Sequence, residues 1–257
     1  MDNKRNITFF DISLIALRSL FIQASWNFNK MQSLGFLYTI SGALKKIASS
    51  PSTLNKMFLK HIDFFNTNPY FSSAIAGAVV KCEEDLSLNN VSKDDPDSIK
   101  ASLMGPFGAI GDSVFWATLR PLVSVIALIV ALRESILSAF LFLILYNIFS
   151  LGFRFYGAFA GYKSGKDIIF DVRRMNLYHV LNEAKMLMAI LLGVCIPLIC
   201  RSTTFKFIDS GFLFNMLIVL SAFHLIYFLL SKNISAKAVI YIILLLCLIW
   251  EYIFPLL

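Results

Sequence analysis

The segment from Leu103 to Trp116 combines residue types that bind polar ligands with residue types that interrupt helices. Three glycines, one proline and the carboxylate of Asp112 lie within an otherwise apolar run. Glycine and proline disturb helical hydrogen bonding, and broken backbone at membrane depth persists only where protein or a water-filled cavity satisfies the freed groups. The pattern therefore predicts a re-entrant or broken hairpin lining a polar path through a membrane. The residues expected to shape it are Gly105, Pro106, Gly108 and Gly111.

Asp112 is the strongest candidate for contact with a ligand. A carboxylate in an apolar segment is costly unless it faces a polar cavity or a partner. An equally simple interpretation makes Asp112 the N-cap of a helix, where its oxygens would accept backbone N–H groups. Trp116, one helical turn further on, has the shape to stack on a sugar ring or to anchor the chain at the membrane interface. The sequence leaves these alternatives open.

A polar turn before residue 70 supplies further donors and acceptors of the kind that sugar hydroxyls require. Asp63 and Asn66 are the candidates for ligand contact. Turn formation alone would also select such residues, and for Thr67 and Asn68 it is the favoured explanation.

Two more polar groups lie among apolar residues. Gln23 and Asn27 are four positions apart, so on a helix they would share one face that either contacts substrate or belongs to an amphipathic surface helix. Arg154, close to Lys163, is expected to snorkel to the membrane interface.

No pattern for catalysis or metal binding is present. The chain lacks the GxxxxGK, HExxH, GxSxG and nucleotide-binding patterns. We therefore expect no catalytic or phosphoryl-carrying residue in this chain, no metal ion and no cofactor. The four cysteines show no CxxC spacing and are expected to be free thiols. His61 is expected to be structural.

The composition predicts an all-α integral membrane protein. Hydrophobic residues make up 58% of the 257 residues, charged residues 15%, and the mean hydropathy is +0.72, whereas soluble domains carry about 25% charged residues. The net charge of +7 does not indicate nucleic acid, because Lys and Arg flank apolar segments. We expect N-terminal amphipathic helices, re-entrant or broken hairpins and transmembrane helices. Residues 1–100 would form an amphipathic and re-entrant region, and residues 101–257 a membrane region acting with it as one functional unit.

The distribution of basic residues predicts how the chain is oriented. Lys and Arg are concentrated at 163–185, recur at 231–237 and are absent after residue 251. By the positive-inside rule these two segments and the N-terminus face the cytoplasm, and the C-terminus lies outside. The apolar runs 122–132 and 136–151 predict either one long bent helix or a hairpin. Further spans are predicted at 186–200, 212–230 and 238–257.

Several motifs occur in the order found in one protein family. They lie at 18–19 with 23–28 and 31–36, at 64–69, at 103–121, and at 154–157 with 161–165. Together they resemble the IID subunit of the mannose/fructose/sorbose-type sugar phosphotransferase system, with similarity over roughly residues 10–257.

The resemblance implies a multi-pass subunit of the bacterial inner membrane. Such a subunit pairs with a IIC membrane subunit, in assemblies of several IIC/IID pairs, to form the path of a hexose or amino-hexose that is phosphorylated on entry. The cytoplasmic IIA and IIB proteins would carry the phosphoryl group. Two alternatives remain: a structural or docking partner of IIC that does not touch sugar, and a surface receptor for a bacteriocin or phage.

Overall fold

The computed structural model describes residues 7–88, 95–132, 136–201 and 212–253. Within these ranges the regular structure is helical, and extended pairing is limited to two isolated bridges that join Met31 to Asn27 and to Phe65. The predicted all-α class is confirmed. The helices are α1 (Phe9–Arg18), α2 (Ser33–Ile47), α3 (Pro51–His61), α4 (Ser72–Ser87), α5 (Pro96–Gly111), α6 (Arg120–Ala131), α7 (Leu137–Ser164), α8 (Ile168–Arg174), α9 (Leu177–Arg201), α10 (Phe212–Ser231) and α11 (Ala236–Ile253).

The chain divides into two compact units. The larger comprises Met1–Ser124 with Ala139–Met188, and the smaller comprises Val125–Ser138 with Ala189–Leu257. The separate division at residue 100, which concerns functional regions, stays a prediction. In the larger unit, one apolar core is shared by α1, α2, α4, α5 and α7. Its fully buried side chains include Phe36, Ile40, Phe65, Ile75, Phe107 and Phe115.

The segment predicted as a broken hairpin is one continuous helix, so that prediction was wrong. Helix α5, a π-helical segment at Asp112–Leu119 and α6 follow one another without interruption. The π-helical segment ends where the Arg120 N–H donates to the Phe115 carbonyl, five residues back. Pro106 lies inside the helix without ending it. The polar interruption in the sequence therefore marks a widened helical turn, a feature common at functional sites.

Helices α4 and α7 cross with their backbones almost in contact. A Cβ atom on Gly161 would lie 2.0 Å from the carbonyl oxygen of Ala74, and one on Gly77 would lie 2.3 Å from that of Ala158. Only glycine permits this approach. The crossing brings the middle of α7 against the loop that precedes α4.

Two helical stretches among the described residues are long and apolar enough to cross a membrane, Pro96–Ala131 and Leu137–Arg174. In the smaller unit, α10 packs against α11, and Asn233 takes a left-handed conformation in the turn between them. Large apolar side chains are exposed on several of these helices, including Phe140, Ile148, Phe223, Tyr241 and Leu248. Exposed apolar surface of this extent fits contact with lipid.

Candidate functional site

A loop of irregular backbone between α3 and α4, residues 62–71, forms the centre of the candidate site; we call it the polar loop. The buried Gln32 amide fixes it from one side. Gln32 Nε2 donates to the Thr67 carbonyl at 2.9 Å, and Gln32 Oε1 accepts from the Thr67 N–H at 3.1 Å. Because both backbone groups of Thr67 are satisfied away from water, the polar loop keeps a defined geometry without regular secondary structure.

Helix α5 holds the polar loop from the other side. The Thr67 hydroxyl donates to the Met104 carbonyl at 3.1 Å, and the Asn66 N–H donates to the Met104 sulfur at 3.4 Å. Gly108 faces Thr67, and a Cβ atom there would lie 3.9 Å from its hydroxyl oxygen. The Asn66 side chain remains exposed. Loop and helix thus form one surface with a free amide at its edge.

Asn68 connects the polar loop to Asp112. Asn68 Nδ2 donates to Asp112 Oδ1 at 2.9 Å, while Asn68 Oδ1 accepts from the Tyr70 N–H at 3.1 Å. Gly111 makes room for this contact, because a Cβ atom on it would lie 2.3 Å from Asn68 Cβ. Asp112 has helical backbone angles inside a continuous helix, so the N-cap interpretation was wrong. Asp112 is exposed.

Arg154 of α7 binds the far end of the polar loop. Its Nη1 donates to the Pro69 carbonyl at 2.8 Å, to the Ser19 carbonyl at 2.7 Å and to the Ser19 hydroxyl at 2.9 Å. The guanidinium lies 5.0 Å from the centre of the Tyr70 ring. The side chain is buried, so the prediction that it snorkels was wrong. Acceptors from the polar loop and from the end of α1 make the buried position favourable.

Aromatic rings border the Asn68–Asp112 contact. Tyr70 stacks on Phe115 with ring centres 4.0 Å apart, and the Tyr146 hydroxyl donates to the Tyr70 hydroxyl at 2.7 Å. Trp116 lies 6.0 Å from Tyr70, is exposed and carries the Arg120 guanidinium 5.3 Å from its ring centre. Flat aromatic faces beside hydrogen-bonding groups suit a ligand with both apolar and hydroxylated surfaces.

The remaining candidate residues lie around a tight turn at 27–31. Asn27 Oδ1 accepts from the Lys30 N–H at 2.8 Å, and Lys30 Nζ pairs with Asp63 Oδ1 at 3.3 Å. The helical structure that begins with α1 ends at Phe21, so the shared helical face predicted for Gln23 and Asn27 was wrong. Gln23 and Asp63 are exposed, and Asn27 is partly buried.

Asn66 and Asp63 belong to the polar loop, and the structure brings Asp112 and Trp116 beside it. Lys30 joins Asp63 to the turn that holds Asn27. Sequence reasoning did not assign Gln32 or Arg154 to the site. Both are polar side chains in apolar surroundings, a signal that such groups have buried acceptors or donors to satisfy. Thr67 and Asn68 were explained by turn formation alone. Their contacts with Met104 and Asp112 give them a second role, which is to hold the polar loop against the long helix. A local sequence pattern does not reveal such long-range contacts.

His61 lies outside the polar loop's hydrogen-bond network. Its ring is fully buried, and Nε2 lies 2.9 Å from Glu83 Oε1. An inaccessible ring fits a structural role. Among the described residues, no group of three or more His, Cys, Asp or Glu side chains is arranged to hold a metal ion.

Comparison with known proteins identifies the family. Residues 6–255 match the family model of the PTS system mannose/fructose/sorbose family IID component. The chain is 36% identical to the mannose-specific EIID component of Escherichia coli K12 over 172 residues, which are 66% of this chain and 60% of that protein. It is 29% identical to the fructose permease IID component of Bacillus subtilis over 197 residues, which are 76% of this chain and 72% of that protein.

Two solved structures share the fold. A membrane protein superposes with a TM-score of 0.73 at 29% identity, covering 96% of this chain and 97% of that chain. The mannose transporter ManYZ in complex with microcin E492 superposes with a TM-score of 0.59 at 28% identity, covering 98% of both chains. The chain is an all-α membrane protein that belongs to the mannose/fructose/sorbose family of IID components of the sugar phosphotransferase system.

Proposed function

We propose that this chain is the IID subunit of a sugar permease in a bacterial inner membrane. With a IIC subunit it forms the path of a hexose or amino-hexose that is phosphorylated on entry. Its relatives carry the names of mannose, fructose and sorbose systems, and the range of these names leaves the sugar of this chain undefined. Assembly as several IIC/IID pairs is part of the same proposal.

The polar loop is the observation that carries this proposal. Its irregular backbone is hydrogen-bonded to Met104 and Arg154. These two residues lie within the two helical stretches that are long and apolar enough to cross a membrane. Irregular backbone within a membrane is stable only against protein or a water-filled cavity. The exposed Asp112 carboxylate and Asn66 amide on the same surface require polar contact as well. A IIC neighbour would supply the protein contact for the backbone, and a sugar path would supply the polar contact for the two side chains.

The candidate residues receive distinct roles in this proposal. Asp112 and Asn66 hydrogen-bond sugar hydroxyls, and Trp116 stacks on the ring. Asp63, Gln23 and Asn27 extend the polar surface towards the turn at 27–31. The phosphoryl group comes from the cytoplasmic IIA and IIB proteins, which fits the inaccessible position of His61.

Replacing Asp112 by Asn tests the role of the carboxylate. An amide oxygen still accepts the Asn68 hydrogen bond, so the substitution removes charge while it keeps size and the contact with the polar loop. We expect sugar uptake in cells with matching IIA, IIB and IIC proteins to fall markedly, with IIC still co-purifying. Normal uptake would show that the charge at Asp112 is not needed on the path.

The orientation of the chain is also proposed. The N-terminus and the segments around Lys166 and Asn233 face the cytoplasm, and the C-terminus lies outside. Tags at these positions in intact cells test it, and a C-terminal tag protected from external reagents would refute the orientation of the last span.

A second candidate function has one specific observation in its favour. The solved ManYZ structure contains a bound microcin. Exposure of this chain's surface to such a peptide would make it a receptor in addition to a permease subunit, and bacteriocin sensitivity of cells with and without the chain measures this directly.

A further inference from the structure

A groove between α1 and α2, lined by none of the residues of the polar loop's network, carries a different set of groups. Its cavity has a volume of about 170 Å³ and is lined by Phe10, Asp11, Leu14, Ile15, Arg18, Thr39, Gly42, Ala43 and Lys46. Two cations, Arg18 and Lys46, therefore face the same small cavity. We propose that this groove binds the phosphate head group of an anionic phospholipid between Arg18 and Lys46.

The charges in the groove favour an anion. Its one carboxylate, that of Asp11, is buried and already accepts from Lys46 Nζ at 2.5 Å and from the Thr8 hydroxyl at 2.6 Å. Arg18 has five donor N–H bonds, and among the described residues it makes one hydrogen bond, from Nη1 to the Ser41 hydroxyl at 3.2 Å. Arg18 and the remaining donors of Lys46 are thus available to phosphate oxygens, which both residue types bind well.

Gly42 shapes the floor of the groove. A Cβ atom on Gly42 would lie 2.7 Å from Arg18 Nη1. The guanidinium therefore lies against the backbone of α2 at Gly42, where its Nη1 also reaches the Ser41 hydroxyl. Arg18 of α1 and Lys46 of α2 line the cavity from opposite helices, an arrangement that suits a phosphate bound between them.

Apolar surface continues from the groove along the same two helices. Leu17, Phe21, Leu34 and Tyr38 are exposed on α1, on the short turn that follows it and on α2, and the Arg18 guanidinium lies 5.3 Å from the centre of the Tyr38 ring. Phospholipid combines an anionic head with apolar chains, so it matches both parts of this surface. Free phosphate matches the cations alone, and an acidic side chain of a partner subunit lacks the acyl chains.

Native mass spectrometry of the purified IIC/IID complex in neutral detergent tests the proposal. We expect added phosphatidylglycerol to remain bound at collision energies that release phosphatidylcholine, and inorganic phosphate to displace it poorly. Arg18→Gln is expected to weaken phosphatidylglycerol retention about tenfold, as the loss of one charge-assisted contact implies. Gly42→Leu should produce a similar loss by filling the cavity. Lys56→Gln, which removes an exposed positive charge from α3, serves as the matched control.

Three results would overturn the proposal. One is equal retention of phosphatidylglycerol and phosphatidylcholine by the unmodified complex. This comparison does not depend on whether any variant folds. Another is a loss in Lys56→Gln as large as that in Arg18→Gln, which would indicate a general charge effect. The third is a cross-link from position 18 to a carboxylate of the IIC subunit with no lipid retained, which would assign the groove to the protein partner.

Discussion

The polar loop and the charged end of the larger unit, by which we mean the ion pairs Asp11–Lys46 and Lys60–Asp95, satisfy their polar groups in different ways. At the charged end, opposite charges pair directly: Asp11 with Lys46 at 2.5 Å, and Lys60 with Asp95 at 2.6 Å. At the polar loop, most partners are neutral amides, hydroxyls and carbonyls. Arg154 binds carbonyls and a hydroxyl, and Asp112 binds an amide.

This difference separates stabilisation from recognition. A buried carboxylate paired in this way, such as Asp11, has little capacity left for a ligand, whereas Asp112 and Asn66 at the polar loop are exposed. Hydrogen bonds with neutral groups hold Asp112 and Asn66 in position and leave part of their hydrogen-bonding capacity unused. Substitutions at the polar loop should therefore affect uptake most, and those at the charged end should affect stability.

The largest effect is expected for Gly111→Leu. The new side chain would occupy the position of Asn68, because a Cβ atom at residue 111 would lie 2.3 Å from Asn68 Cβ. The polar loop must then move away from α5, and we expect uptake to be abolished while membrane insertion is retained. Gly105→Leu is the matched control on the same helix, because a Cβ at Gly105 meets no atom within 4 Å. Equal uptake by the two variants would contradict the proposed contact.

A smaller but still large effect is expected for Arg154→Met. The substitution leaves the Ser19 and Pro69 carbonyls without their donor in a buried site, at a cost of roughly 1–3 kcal/mol for each carbonyl. Thermal unfolding of the purified complex should show a clear loss of stability. Arg120→Met, which removes an exposed arginine beside Trp116, should change the midpoint little. Similar midpoints for both variants would show that Arg154 does not hold the polar loop.

The smallest effect is expected at the charged end, for Asp11→Asn. Burial alone would raise the pKa of Asp11, but hydrogen bonds from Lys46 and Thr8 more than offset it, and its pKa is lowered. A lowered folded-state pKa stabilises the protein above the unfolded-state value and loses that contribution as pH falls through the folded-state value. We expect Asp11→Asn to cost about 1 kcal/mol at pH 7 and progressively less below about pH 4. A difference independent of pH would refute the ion pair.

Sequence reasoning identified the family and the helical class, because these depend on ordered motifs and on local patterns of charge, polarity and apolar runs. It misjudged the backbone around Gly111 for a physical reason. Glycine and proline signal either broken backbone or close approach of a neighbour, and only the position of Asn68 distinguishes the two. Arg154 shows the same limit, because its acceptors come from residues far away in sequence, at Ser19 and Pro69.

We propose that the exposed edge of the polar loop, at Asn66, lines the sugar path. Asn66 is exposed, and replacing it by Cys leaves its backbone contact with Met104 in place. The measurement is the rate at which a water-soluble maleimide labels Asn66→Cys in the assembled complex, with the native cysteines replaced. Ser52→Cys, exposed at the start of α3, is the control. We predict that the transported sugar slows labelling of Asn66→Cys several-fold and leaves Ser52→Cys unchanged. Labelling of Asn66→Cys at the same rate with and without sugar, in complexes that still transport it, would contradict the account.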